Sequence, residues 1–134
     1  MVVLIESGMY KNVIASRDID TYVDLSDAWY NKQIQHEYNP PHKHFGAYSF
    51  VIWLSLPYDT KKEKEYYRAS TDFNFLYTQN GHIQQCPIDP SEGDIVVFPA
   101  DQWHSVHPFF LSDEFRVSIS GNIFKPQEHI WDNL

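Results

Sequence analysis

The run Ala47-Tyr48-Ser49-Phe50-Val51-Ile52-Trp53-Leu54-Ser55-Leu56, stopped by Pro57, constrains the fold of this chain more than any other segment. Aromatic and β-branched side chains fit a pleated, packed surface, so the run reads as a strand. Its nearly continuous apolar character implies burial on both faces. Other segments repeat the theme. From Ala28, residues Trp29, Asn31 and Gln33 alternate with Tyr30, Lys32 and Ile34, and Asn39-Pro40-Pro41 breaks that strand. Phe73-Asn74-Phe75-Leu76-Tyr77 and Ile83-Gln84-Gln85-Cys86 flank Asn80-Gly81, a hairpin signal.

Three more strands follow, over Asp94 to Phe98, His104 to Phe110 and Phe115 to Phe124. About eight short strands with turn residues at even spacing predict an all-β sandwich or barrel, closed enough to protect its edges. Residues 1 to about 27 show no sustained period and predict irregular structure with an edge strand. The charged, Tyr-rich stretch from Tyr58 to about Thr71 predicts a loop with at most one helical turn. Within it, Lys61-Lys62-Glu63-Lys64-Glu65 interleaves basic and acidic residues and reads as solvated.

At 134 residues the chain is expected to form one domain over 1–134, with the β core at about 28–124. The net charge is −8, and no stretch clusters Lys and Arg with aromatics, which argues against nucleic acid as a partner. Cys86 stands alone, so no internal disulfide framework or Cys-rich metal site is expected, and its reading is structural. The start, Met1-Val2-Val3-Leu4-Ile5-Glu6, lacks a basic segment before its short apolar run and carries an early acid. Neither a signal peptide nor a membrane span is expected, and the expected compartment is the cytosol, that of the host if the gene is viral.

The chemistry concentrates in His42-Lys43-His44 and in Gly93 to His104. Two histidines one residue apart in extended backbone share a face. A third, opening a strand after the Pro99-Ala100-Asp101 turn, can meet them across a sheet. Three neutral imidazoles make a half-shell for Fe(II), Zn(II), Cu(II) or Ni(II) and leave positions open for chemistry. His42, His44 and His104 are therefore the candidate metal ligands, against a plain surface His-Lys-His. His107 lies three residues on and faces away from His104, a surface or supporting residue. His36, His82 and His129 read as structural.

Arg116 and Ser118 share a strand face, one strand beyond His104. A guanidinium beside a hydroxyl is a receptor for a carboxylate, because Arg offers a planar fork of donors. The competing reading pairs Arg116 with Asp113, Glu114 or another acid at the rim. Asn31, Gln33 and Tyr77 are polar groups at strand positions able to face a cavity. They are candidates to contact a co-substrate (Asn31, Tyr77) or substrate (Gln33), against ordinary cross-strand hydrogen bonding. Trp29, Trp53 and Trp103 read as core or rim packing, with Trp103 carried alongside Gln33 as a substrate contact.

Together, Glu37 to His44, Ser49 to Leu54, Gly93 to Pro99, Trp103 to Phe109 and Arg116 to Asn122 resemble the iron(II)/2-oxoglutarate-dependent oxygenases of bacteria and marine phages, over about residues 28–124. The resemblance implies a double-stranded β-helix (jelly roll, cupin-like). It implies His42 and His104 as iron ligands, and Arg116 with Ser118 as the clamp on the far carboxylate of 2-oxoglutarate. Fe(II), 2-oxoglutarate and O2 would then serve oxidation, as a hydroxylase, of a small-molecule or peptidyl substrate.

Such enzymes use His-x-Asp or His-x-Glu, whereas this chain has His44 at the carboxylate position. That departure resembles three-His cupins, dioxygenases or isomerases that do without 2-oxoglutarate. The Glu expected in the first cupin motif is absent, with Tyr48 and Ser49 in its place. A non-catalytic metal-binding jelly roll of a phage is the third alternative. The short N-terminal region lacks the helices that buttress such barrels, so either an oligomer supplies that cover, with a homodimer preferred, or the barrel is minimal.

Overall fold

The computed structural model describes residues 2–4 and 24–124. In chain order the elements are β1 (Val2–Leu4), β2 (Asp24–Gln33), β3 (Asn39–His42), β4 (Tyr48–Ser55), α1 (Thr60–Tyr66), β5 (Phe73–Gln79), β6 (His82–Ile88), β7 (Ile95–Pro99), β8 (His104–Val106) and β9 (Arg116–Phe124). They form a five-stranded sheet in the order β1-β7-β4-β9-β2 and a four-stranded sheet in the order β3-β8-β5-β6. From β2 onward, successive strands move between the sheets in a fixed pattern. Numbered from one at β2, the eight strands lie as 6-3-8-1 and 2-7-4-5, the order of a double-stranded β-helix.

Every pairing in this jelly roll is antiparallel, and only the short β1 adds a parallel rung beside β7. β1 supplies the edge strand expected near the N-terminus; of the stretch read as irregular, residues 5–23 lie outside the described residues and 24–27 belong to β2.

Alternation decides which side chains line the interior. On β4 the inward Ser49, Val51 and Trp53 are buried, while Phe50 and Ile52 are half-buried and Leu54 is exposed. Burial of both faces is therefore overturned. The strand has one buried face, because the jelly roll packs each sheet on its inner side alone. Val51, Trp53, Phe73, Phe75, Val96 and Phe98 form the hydrophobic cluster, with Leu56, Ile88 and Val106 packed against it.

Where β2, β9 and β4 run together, a Cβ on Gly121 would lie 2.5 Å from the Phe50 ring and 2.6 Å from the Asp27 carbonyl. Only a residue without a side chain allows that approach. The β5–β6 hairpin turns on Asn80 (φ 51°) and Gly81 (φ 78°), two left-handed residues as a two-residue hairpin loop requires.

Four other expectations are corrected. Pro40 and Pro41 do not interrupt the sheet but lie within β3, an edge strand whose register slips between Asn39 and His42. Proline is tolerated there because one side of an edge strand makes no ladder bonds. The strand predicted over 104–110 ends at Val106, and residues 107–111 form a loop tied elsewhere.

The stretch after Tyr58 contains α1, capped by Asp59, whose carboxylate accepts from Lys61 N–H and Lys62 N–H. The run read as solvated hides Glu63, which is fully buried. Its carboxylate accepts from Ser70 Oγ (2.6 Å), Phe110 N–H (2.9 and 3.1 Å) and Leu111 N–H (2.6 Å). Three donors, making four contacts, replace the lost hydration, and the helix is thereby fastened to the loop after β8. Lys64 bridges Asp72 and Asp89 alongside it. Cys86 is exposed on β6, so burial supports no structural role for it.

Candidate metal and anion site

His42 and His104 are direct partners across the β3–β8 pairing. His44 lies just beyond the end of β3, where its backbone N–H donates to the Ala100 carbonyl (2.8 Å). One nitrogen from each ring can be chosen so that the three lie within 4.8 Å of one another. The ring centroids are 4.2 Å (His42–His104), 5.1 Å (His42–His44) and 5.2 Å (His44–His104) apart.

The hydrogen bonds assign the tautomers. His42 Nδ1 lies 2.8 Å from the Pro40 carbonyl and His104 Nδ1 lies 3.0 Å from the Gln102 carbonyl. A carbonyl only accepts, so each Nδ1 carries the proton and donates it, and each Nε2 presents a lone pair. His104 is pinned by Phe98 (4.8 Å) and Phe73 (5.5 Å), and Trp29 packs 5.5 Å from His44.

Burial, reinforced by His42 and His44, pulls His104 down to about 4, against a bond to Gln102 that acts the other way. His44 is lowered as well, by burial and then by His42. Both rings are thus held neutral at physiological pH, the state that ligates metal. Three imidazole donors, two with their second nitrogen already committed, suit a divalent transition metal. Nitrogens about 2.1 Å from one ion sit about 3–4 Å apart, and small ring movements bring this cluster there.

The cluster opens into a cavity of about 480 Å3 lined by Trp29, Asn31, Gln33, Trp53, Arg116 and Ser118, among others. Asn31, Gln33, Arg116 and Ser118 come from adjoining β2 and β9, where Gln33 faces Arg116 and Asn31 faces Ser118. Asn31 Nδ2 donates to Ser120 Oγ (2.9 Å) and Ser118 Oγ (3.3 Å), leaving the Ser118 hydroxyl proton free to point elsewhere.

Arg116 is only 4% exposed, and no Asp or Glu among the described residues pairs with it. Its donors reach Gln33 Oε1 (Nε 3.1 Å, Nη2 2.7 Å), the His107 carbonyl (2.8 Å) and Tyr58 Oη (3.2 Å). Phe109 and Tyr58 pack against the guanidinium at 5.4 and 5.9 Å. The rim partners Asp113 and Glu114 are not used. A buried cation met only by neutral acceptors is costly unless an anion arrives, and this matches the donor set a distant carboxylate would need.

Two residues proposed from sequence lie apart from this constellation. Tyr77 is exposed on β5 and Trp103 is exposed beside Lys43; neither lines the cavity. Conversely, Tyr58 escaped sequence reasoning because it follows Pro57 in a stretch read as loop. His107 meets Tyr38 (5.3 Å) and supports the guanidinium through its backbone, in keeping with a supporting place. His36 contacts Phe110 and His82 is exposed in the hairpin; His129 lies outside the described residues.

This donor set, on a jelly roll, could hold a metal ion at one end of the cavity and an anion at the other. The family model described as "Putative 2OG-Fe(II) oxygenase" matches residues 27–122, and the chain belongs to that family. Among solved structures, the chain is similar to an oxidoreductase of the 2OG-Fe(II) oxygenase family from Burkholderia pseudomallei. The TM-score is 0.60 at 14% identity, over 78% of this chain and 46% of that one, so the chain spans about half its length. A cupin domain from Bordetella pertussis tohama i also matches, with a TM-score of 0.41 at 14% identity over 77% of this chain and 90% of that one. No curated protein matches the chain. Among the described residues, no helix is long and apolar enough to cross a membrane.

Proposed function

We propose that the protein is an Fe(II)- and 2-oxoglutarate-dependent oxygenase acting as a hydroxylase on a small-molecule or peptidyl substrate. The observation that carries this reading is Arg116, a buried guanidinium without an acidic partner among the described residues, on the cavity that holds the three histidines. His42, His44 and His104 hold Fe(II), which supplies the redox chemistry that couples decarboxylation of 2-oxoglutarate to oxidation of the substrate. Arg116 binds the far carboxylate, with Ser118 donating its free hydroxyl proton and Tyr58 flanking the guanidinium. Phe73, Phe98, Val51 and Trp53 keep the inner end of the cavity apolar, which strengthens each polar contact made there and excludes water.

Anaerobic titration of the Fe(II)-loaded protein with 2-oxoglutarate tests the reading. A weak visible charge-transfer band should appear for wild type and weaken in Arg116→Ala, with iron still bound. His104→Ala should lose the iron and the band together.

One observation favours a second reading. The ligand cluster contains no carboxylate, as in a three-His cupin dioxygenase or isomerase in which Arg116 would hold the substrate's own carboxylate. Iron uptake without any band selects that alternative.

A further inference from the structure

Gln33 is a side chain the chemistry above leaves unused. It sits directly across from Arg116 in the β2–β9 register, half-buried, on the same cavity. Its Oε1 accepts from both Nε and Nη2 of Arg116, the forked edge that guanidinium normally presents to a carboxylate. Its Nε2 donates to the Glu37 carbonyl (2.6 Å), while the Glu37 carboxylate accepts from Ile34 N–H (2.9 Å). Arginine only donates and a carbonyl only accepts, so both ends of the amide fix its orientation.

Four of the five guanidinium N–H groups can thus be accounted for by Gln33, the His107 carbonyl and Tyr58. Any carboxylate that is to be gripped bidentately must take the place of the Gln33 oxygen.

We propose that Gln33 is a placeholder on Arg116: its neutral amide oxygen occupies the guanidinium fork until a dicarboxylate displaces it. The inference rests on the 2-oxoglutarate reading and adds a determinant of affinity and selectivity to it. A neutral acceptor holds the buried guanidinium in place at moderate strength, and a carboxylate outcompetes it because hydrogen bonds between two charged groups are stronger. A monocarboxylate that reaches only the metal end gains nothing from the exchange. The tie from Gln33 to Glu37 also means that displacement frees the turn over residues 34–37, which carries a left-handed His36 (φ 68°) and leads into β3.

Calorimetric titration of the Fe(II)-loaded protein under nitrogen tests the proposal, with 2-oxoglutarate and with pyruvate, which lacks the far carboxylate. Gln33→Ala removes the competitor and should bind 2-oxoglutarate about fivefold to tenfold more tightly than wild type. Gln33→Glu sets a permanent carboxylate on the fork and should bind it about 100-fold more weakly. Pyruvate affinity should be the same in all three proteins. Weaker 2-oxoglutarate binding in Gln33→Ala would make Gln33 a direct ligand and overturn the placeholder. So would undiminished binding in Gln33→Glu, which also carries the test if the alanine variant fails to fold. Iron uptake with no 2-oxoglutarate binding in any of the three proteins instead overturns the co-substrate reading, and the placeholder with it.

Discussion

At the scale of single residues, His104 shows how one position serves the fold and the chemistry. Its ring stacks on Phe73 and meets Phe98 edge-on, and that burial is the largest cause of its depressed pKa. Above pH 6.5 the ring is neutral in both folded and unfolded chains. Between 6.5 and about 4 only the unfolded chain takes up the proton, so the metal-free protein loses stability as pH falls through that window. The loss attributable to this ring reaches about 3 kcal/mol. Urea denaturation of the apo-protein at pH 7 and pH 5 should show about 2 kcal/mol of it, and His104→Phe should reduce the difference. His44 and His107, also lowered by burial, leave a smaller residual slope of the same sign. A pH dependence unchanged in His104→Phe would place its origin in other groups.

The histidines were legible in sequence because their spacing and the strand before the third implied convergence. Arg116 and Ser118 were legible as neighbours on one strand face, and both line the cavity. The partners of Arg116 were not, because Gln33, Tyr58 and the His107 carbonyl come from three separate places in the chain, and nothing local to any of them points to a guanidinium. Tyr77 lies away from the cavity, because alternation identifies a strand's two faces without saying where along its length the cavity ends.

Among the elements, α1 is the piece that sequence patterning described least well. A charged heptad hides a carboxylate with no exposed surface, and nothing in Lys61 to Glu65 separates Glu63 from Glu65. The distinction comes from Phe110 and Leu111, whose N–H groups lie far along the chain. The presence of β4 and the Asn80-Gly81 hairpin followed from local rules and were correspondingly readable, whereas the single buried face of β4 depends on how the two sheets pack. The prolines of β3 misled because an edge strand suspends the rule against them.

The Glu63 latch also reaches the site. It holds Phe110 and Leu111, and the same loop supplies Phe109 and the His107 carbonyl to Arg116. Glu63→Ala leaves two backbone donors and the Ser70 hydroxyl without this acceptor and should cost about 3 kcal/mol in urea denaturation. The folded fraction should also bind 2-oxoglutarate more weakly while taking up iron normally. Unchanged stability would mean that water satisfies these donors and that the latch carries little of the loop.

For the molecule as a whole, the two sheets carry different parts of the chemistry. The four-stranded sheet delivers His42 and His104, and the five-stranded sheet delivers Arg116, Ser118 and Asn31. Occupying both ends of the cavity therefore ties one sheet to the other. Differential scanning calorimetry under nitrogen should register an Fe(II)-dependent rise in Tm, reflecting about 2.7 kcal/mol of stabilisation at a hundredfold excess over the dissociation constant. 2-Oxoglutarate should add a second rise in the presence of Fe(II), and this second rise should disappear in Arg116→Ala. A rise with 2-oxoglutarate that is indifferent to Arg116 would mean that the far carboxylate is bound elsewhere.

The edge position of β3 carries a consequence in time. Within its sheet β3 pairs with β8 alone, and β8 lies in the last third of the chain. On a ribosome, His42 and His44 emerge long before the strand that completes the cluster has been made. The two early imidazoles have no built partner during that interval, and a metal ion bound to them would gain only part of its coordination. A metal ion held by all three imidazoles would accordingly mark a chain whose β8 has already closed against β3 rather than a chain still being assembled.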